Sequence, residues 1–362
     1  IATSLVNNKP GAIFLGNLVQ HHPHYADIHA LAQNIAQIVE SGFGILGEAA
    51  NSVGAYIAGA IPGEGILRAP VSDPRQPGSG DADTSQAPGV NAPAITATAA
   101  VEPCQAYVLL NLEPELDSYN PQQTMKALGA AELVVVMNAY INHAVLEGDY
   151  ADVLLPIAPF TETSGTFINT EGRVQSFNGV VAPLGDVRPA WKVLRVLSNM
   201  LELEGFNYET SEQVRAEILP AGVDISARLD NNLRDFIVGD VSKMSGKISG
   251  KMSEPMGGAT GNRIQRIGEV PIYQSDPIVR RAESLQRTRD AAAPLAWMPG
   301  DLMDRLGIRQ GDRVRLKQGD GEIQLAAAQD DKLPAGCVRV ASAHPLTAAL
   351  GEMFGEIVVE RL

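Results

Sequence analysis

Short runs of residues that are apolar throughout, set between stretches of helical period, dominate the first 160 positions of this chain. Ala12 to Gly16 is the first run. Asp27 then opens a stretch with apolar residues at Ile28, Leu31, Ala32, Ile35 and Val39, closed by Gly42, and Phe43 to Leu46 is the second run. The rhythm continues through Ala106 to Leu112, Pro121 to Leu128, Leu133 to Met137 and Val153 to Ile157. A strand with one face in water alternates apolar and polar residues, whereas a strand apolar on both sides is buried on both. The pattern therefore predicts α/β architecture with a parallel sheet covered on both faces by helices.

Two segments interrupt the rhythm. Ala69 to Pro103 is rich in Pro, Gly, Ser, Ala and Asp, with few large apolar groups to bury, and reads as a disordered surface insertion. Val241 to Gly261 repeats Ser, Gly, Lys and Met and reads as a linker. Between them, Thr166 to Asn169 and Val174 to Phe177 flank Glu171-Gly172, the pattern of a tight hairpin. Pro189 opens a helix with Val193, Leu194, Leu197 and Leu201 on one face. Thr210 and Gln213 have capping-box spacing for a helix through Ile218, and Asp224 to Ile237 predicts another.

After the linker the period changes. A short helix over Asp301 to Leu306 precedes Arg313 to Lys317, a turn at Gln318 to Gly321, and Ile323 to Ala327. Val338 to Ala341 and Ile357 to Val359 add strands, with a helical piece near Leu346 to Leu350. Short strands at this spacing with Gly and Pro turns predict a small β-barrel. The domain reading is thus 1–240 for the α/β region with its insertion at 69–103, 241–261 for the linker and 262–362 for the barrel.

Charge and cysteine content narrow the function classes. The chain has 362 residues, 45% hydrophobic and 19% charged, with 28 Lys and Arg against 42 Asp and Glu, a net charge of −14. That surface repels phosphate backbones and anionic headgroups, so no nucleic-acid partner is expected. No apolar run reaches the roughly 18 residues a spanning helix needs, so no direct membrane insertion is expected either. Cys104 and Cys337 are the only cysteines, too few for an iron–sulfur cluster held by four thiolates within this chain, and they suit a reducing cytoplasmic setting. The opening at Ile1, followed by a polar stretch from Thr3 to Pro10, reads as a fragment whose N-terminal part is missing.

The candidate sites divide into weak and specific. His21, His22 and His24, with His29 beyond, crowd together, but no Cys or carboxylate cluster completes a ligand set, and the stretch reads as a loop opening a helix. Thr161, Glu162, Thr163, Ser164 and Gly165 place a carboxylate beside hydroxyls, without the Gly-x-Ser-x-Gly elbow of a hydrolase. Gly16-Asn17 and Gly42 to Gly47 lie at strand ends, where open α/β sheets bind ligands, yet the spacing is not the dinucleotide fingerprint. Glu48 to Ser52, Asn111 to Glu115 and Asn138 mark further polar strand ends and read as satisfied turns.

One stretch is more specific. Ala151-Asp152-Val153-Leu154-Leu155-Pro156, then Glu162, Gly165-Thr166, Asn169, Glu171-Gly172-Arg173 and Gln175, resembles the signature of the molybdopterin oxidoreductase superfamily. Leu306-Gly307-Ile308, Gly311-Asp312-Arg313-Val314 and Leu333-Pro334-Ala335-Gly336 resemble the C-terminal barrel that covers the molybdopterin dinucleotide in that superfamily. Within it, Leu46 to Tyr56, Leu112 to Asp117 and Pro156 to Thr166 are most similar to the family of large iron–sulfur subunits of bacterial proton-translocating NADH:quinone oxidoreductase, respiratory complex I.

The resemblance implies Rossmann-like parallel-sheet domains followed by the barrel. It implies a structural C-terminal portion of a complex that passes electrons from NADH to quinone, with the 2Fe-2S and 4Fe-4S clusters in the missing N-terminal region, no cofactor in this portion and no catalytic residue. Expected partners are the other subunits of the peripheral arm, including the NADH-oxidising flavin subunit, on the cytoplasmic side of the inner membrane. Glu162, Thr166, Asn169, Arg173 and Gln175 match pterin-contacting loop positions and are expected to be vestigial. The alternative is a molybdopterin-dependent oxidoreductase such as a formate dehydrogenase, in which the same residues bind the cofactor.

Overall fold

The structure is a computed structural model that describes residues 2–47, 49–58, 60, 104–142, 145, 146, 148, 150–220, 225, 229 and 264–362. The insertion at 69–103, the linker at 241–261 and nearly all of the helix expected from Asp224 to Ile237 lie outside the described residues.

The first apolar runs are strands β1 (Ala12–Leu15) and β2 (Gly42–Ile45), paired in parallel with Ala12 opposite Gly42 and Leu15 opposite Ile45. Helix α1 (Ala2–Asn7) precedes them, and α2 (Asn17–Gln20) and α3 (Tyr25–Ile38) connect them. The helix α3 buries His29, Ala30, Ala32, Gln33, Asn34 and Ala36. Ala30, Ala32 and Ala36 keep that face small, which allows a helix to lie close on a two-stranded ribbon. Helix α4 (Ser52–Ile57) follows β2.

A second parallel sheet joins β3 (Ala106–Leu110), β4 (Leu133–Asn138) and β5 (Val153–Pro156) in that order. Helices α5 (Pro114–Asp117) and α6 (Pro121–Gly129) cross from β3 to β4. Tyr107 and Leu109 on β3 and Val134 and Val136 on β4 pack with Leu128, Val145 and Tyr150 into one core. The opposite face differs from the expectation of two-sided cover. There Val108 is 55% exposed, and Leu110, Leu133 and Val153 are exposed beside it. On β3 the core face carries Tyr107 and Leu109, while towards the end of β4 both faces are covered, since the consecutive Val136 and Met137 are both buried.

The hairpin is present as β6 (Gly165–Ile168) and β7 (Val174–Phe177), with Thr166 opposite Ser176 and Phe167 opposite Gln175. Gly172 makes its turn at φ 78°, a left-handed conformation that costs glycine little. Helix α7 (Ala190–Met200) starts directly after Pro189, and α8 (Ser211–Ile218) carries the capping box. Thr210 Oγ1 accepts from Gln213 N, and the Gln213 side chain accepts from the Thr210 backbone N–H.

The last hundred residues close a six-stranded barrel in the order β10-β11-β9-β12-β8-β13. Its strands are β8 (Ile264–Ile267), β9 (Ala296–Met298), β10 (Arg313–Gln318), β11 (Gly321–Gln329), β12 (Cys337–Arg339) and β13 (Phe354–Arg361). Alternation fills the interior: Val314 and Leu316 point inward, opposite Leu325 and Ile323, and Leu316 also faces Val359. The outward row of Arg315 and Lys317 meets Glu322 and Glu360 across the strands, with Arg315 Nε 2.9 Å from Glu322 Oε1. Helices α9 (Pro277–Arg281) and α10 (Glu283–Gln286) lie between β8 and β9, and α11 (Gly300–Leu306) follows β9.

Strand β8 is hidden in the sequence because Arg266 occupies an inward position, only 2% exposed. Its guanidinium donates to Gln318 Oε1, the carbonyls of Ala341, Gly351 and Glu352, and Ser342 Oγ, at 2.9–3.2 Å. Burial pulls Arg266 down to about 10, still above neutral pH, so a cation tied to carbonyls braces the end of the barrel. The helical piece expected near Leu346 to Leu350 is instead a run of turns. His344 Nδ1 accepts from Leu346 N and the His344 carbonyl accepts from Thr347 Oγ1, local bonds that compete with a helix.

Polar contacts join the barrel to the second sheet. Gln122 on α6 donates to the carbonyls of Gln318 and Ala349, both at 2.8 Å, and accepts from Asp320 N. A Cβ on Gly319 or Gly321 would fall 2.5 Å from the Gln122 amide, so glycine at both makes room for this plug. The Tyr119 carbonyl accepts from Met353 N at 3.2 Å.

Candidate functional site

The five residues singled out in the sequence share one region without converging. Glu162 ends a short 3-10 turn and accepts from Leu184 N at 3.1 Å. Thr166 Oγ1 lies 3.0 Å from Ser176 Oγ across the hairpin. Asn169 Oδ1 accepts from Glu171 N and Arg173 N, which builds the turn, while Arg173 faces Glu171 at 4.0 Å in full solvent. Gln175 pairs with Phe167 and so points to the opposite face from Thr166.

A pterin dinucleotide presents amide edges and a pyrophosphate, which call for several unspent donors and acceptors aimed into one cavity. These five offer no buried, unpartnered polar atom, and their side-chain groups serve the turn, the ladder or solvent. Among the described residues they form no shared cradle, and Arg173 and Gln175 keep exposed side chains.

Glu162 alone of the five lines a cleft of about 490 Å³, together with Ser164, Arg188, Trp191, Lys192 and Glu212. The cleft lies between the hairpin region and helices α7 and α8, with Ser164 Oγ 2.8 Å from Ser211 Oγ. Arg188 spends Nη1 on the carbonyls of Gly185 and Val187, and Glu162, Glu209 and Glu212 offset the remaining positive charge. With three carboxylates against two cations, the cleft does not select an anion.

The strongest electrostatic feature lies at the carboxyl edge of the β3-β4-β5 sheet, where α/β sheets place their ligands. Glu113, Glu115 and Asp117 follow β3 on and beside α5. Asp276 caps α9 by accepting from Ile278 N and Val279 N, and Pro277 at the first helical position fixes the start, which places Arg280 and Arg281 side by side against the acids. Arg280 pairs with Glu113 at 2.8 Å and with Asp117, and Arg281 pairs with the other oxygen of Glu113. Burial alone would raise the Glu113 carboxyl, but the hydrogen bonds from Arg281 and Arg280 outweigh it and hold Glu113 below its ordinary value. Glu115 receives the Asn142 Nδ2 donor, at 2.7 Å, and no cation, and is pushed up to about 7, by burial first and then by Glu113 and Asp117.

The sequence contained both halves of this cluster, the acids at every second position from 113 to 117 and the adjacent arginines after an Asp-Pro helix start. Their meeting, across more than 160 residues, has no local signal.

The histidines do not assemble. His22 and His24 rings lie 5.6 Å apart, His22 packs on Phe354, and His29 is buried against Phe43. Among the described residues, no group of three or more His, Cys, Asp or Glu is arranged to hold a metal ion. Also among them, no helix is long and apolar enough to cross a membrane.

Residues 1–200 match the family described as Molybdopterin oxidoreductase. A protein named "Putative formate dehydrogenase" in Staphylococcus aureus (strain MRSA252) is 42% identical over 69 residues, 19% of this chain and 7% of that protein. One of the same name in Staphylococcus haemolyticus (strain JCSC1435) is 34% identical over 92 residues, 25% of this chain and 9% of that protein. Among solved structures, acetylene hydratase from Pelobacter acetylenicus has a TM-score of 0.45 at 16% identity, covering 71% of this chain and 44% of its own. The matched stretches span under a tenth of the length of the staphylococcal relatives.

Proposed function

This chain belongs to the molybdopterin oxidoreductase family, and from that premise we propose that it is the C-terminal body and barrel of a molybdopterin-dependent oxidoreductase of the formate dehydrogenase kind. The observation that carries the reading is the family match over residues 1–200, beside which stretches of 69 and 92 residues of this chain are similar to the staphylococcal relatives. In this reading the bound cofactor supplies the two-electron chemistry. The residues of this chain supply the frame: the Arg280 and Arg281 cluster and the Gln122 plug fix the barrel against the carboxyl edge of the sheet. The hairpin residues Glu162, Thr166, Asn169, Arg173 and Gln175 shape a turn, and the cofactor is assigned no contact with them.

A second reading is the structural portion of the large iron–sulfur subunit of complex I, docked through the peripheral arm to the flavin subunit on the cytoplasmic side. What favours it is the wording of Leu46 to Tyr56 and Leu112 to Asp117, together with hairpin polar groups spent on the hairpin itself.

The test is molybdenum content, oxidised-pterin fluorescence and formate-dependent dye reduction, measured on the full-length protein from its native host. Stoichiometric molybdenum and pterin with formate-dependent reduction is the expected result. Absence of both, with NADH:quinone activity copurifying, overturns it in favour of the second reading.

A further inference from the structure

At the carboxyl edge of the β3-β4-β5 sheet, three carboxylates face two guanidiniums. Arg280 and Arg281 satisfy Glu113 and Asp117, which leaves one acid without a base. That acid is Glu115. One of its oxygens accepts from Asn142 Nδ2, and the other is buried with no partner. Among the described residues, the groups around it are Glu113 and Asp117 from its own turn, Arg280 and Arg281 from α9, and Asn142, Tyr150 and Tyr140 from the stretch after β4. Asn142 is held in turn, its Nδ2 also reaching Tyr150 OH and its Oδ1 accepting from Val145 N. None of these offers a free cation at hydrogen-bond distance. A neutral carboxyl fits the space, whereas an ionised one adds a third negative charge to a cluster already balanced at two against two.

We propose that Glu115 is a proton-operated latch: neutral, it lets Arg280 and Arg281 hold α9 on the sheet edge, and ionised, it loosens that docking. The ionised carboxylate calls for water at its buried oxygen, which the closed packing withholds. The protonation equilibrium supports this direction, since burial and the two neighbouring acids lift the carboxyl to about 7 against the pull of its own backbone amide and of Arg280.

The closed form therefore binds the proton more tightly than an opened form with an ordinary carboxyl. The ratio of closed to open is greatest below the ordinary carboxylate range, falls by up to about tenfold per pH unit as pH rises, and levels off above about 7. Glu113 works in the opposite sense. Its depressed value stabilises the cluster above the ordinary carboxylate range, and that contribution is lost as pH falls through it. The latch is tightest in mild acid, and it stands independently of which cofactor the whole protein carries.

Hydrogen exchange on the full-length protein at pH 6, 7 and 8, corrected for intrinsic rates, reads the latch through the amides of residues 274–287. Protection is expected to fall about tenfold between pH 6 and 8, most of it below pH 7. Glu115→Gln keeps an oxygen for Asn142 and cannot ionise, so its protection stays flat across the range. Flat protection in the unaltered protein overturns the proposal. So does a fall that persists in Glu115→Gln, which would assign the titration to another group such as His22 or His344. Should that variant fail to fold, Asn142→Ser removes the side-chain donor to Glu115 and is expected to move the transition to higher pH; an unmoved transition overturns the latch.

Discussion

Replacing Arg280 with alanine removes the one side chain that holds Glu113 and Asp117 at once. The side chain of Arg280 is 6% exposed and that of Glu113 is 2%, so the change strands a carboxylate with no water to receive it. Loss of one partner from a buried pair costs about 3–5 kcal/mol. Arg281 still reaches Glu113, and Asp117 is closer to solvent, which places the expectation at the lower end, about 3 kcal/mol. With a urea slope of about 2–3 kcal/mol per molar, the unfolding midpoint falls by roughly 1 M. The chain has two tryptophans, Trp191 on α7 and Trp297 on β9 of the barrel, so Trp191→Phe leaves a barrel-only signal and Trp297→Phe a body-only signal. Arg280→Met combined with Glu113→Gln removes both charges and is expected to recover much of the loss, because no uncompensated ion remains. A cost below about 1 kcal/mol for Arg280→Ala would mean that the pair behaves like an exposed ion pair, and the buried-clamp reasoning would fail.

Three further outcomes are expected. Gln122→Ala deletes two donated hydrogen bonds and one accepted bond at the barrel seam, and weakens docking by about 1–2 kcal/mol, read as faster exchange of the amides of residues 318–321. Leu316→Ala opens a cavity in a side chain that is 0% exposed and costs about 2–5 kcal/mol, seen as a lower barrel melting temperature in a thermal scan. Thr210→Ala removes one arm of the capping box and costs roughly 1 kcal/mol, seen as increased exchange in the first turn of α8.

The legible parts of the fold are those whose signal is local. The capping box at Thr210 and Gln213, the Pro189 helix start and the Glu171-Gly172 turn each depend on a few neighbouring residues, and each is found where its residues point. Wholly apolar strands correctly announce parallel sheets, because β1 pairs β2 and β3 pairs β4 in parallel. They overstate the cover on those sheets, since apolar character records what a face can bury and not what lies against it among the described residues. Strand β8 fails for the opposite reason. An inward arginine breaks the apolar alternation, and the acceptors that make that position tolerable, Gln318 Oε1, Ser342 Oγ and the carbonyls of residues 341, 351 and 352, lie far along the chain.

The same distinction governs the candidate site. The hairpin motif carries the resemblance, yet Asn169 spends its side-chain oxygen on its own turn, Thr166 meets its cross-strand neighbour and Glu162 accepts from Leu184 N. A motif of this kind is compatible with selection for the backbone path as readily as for a ligand. Glu115 is the reverse case, a residue with no motif whose chemistry is set by acids two positions to either side and by arginines more than 160 positions away. Burial and an unbalanced charge count, neither of which a linear pattern records, make it the group of this site that titrates near neutral pH. Where a sequence motif and a strained electrostatic arrangement disagree about the location of function, the second carries the free energy, because moving Glu115 from about 7 back to an ordinary carboxylate value changes the stability of the closed state while rewriting an exposed Arg173 or Gln175 changes little.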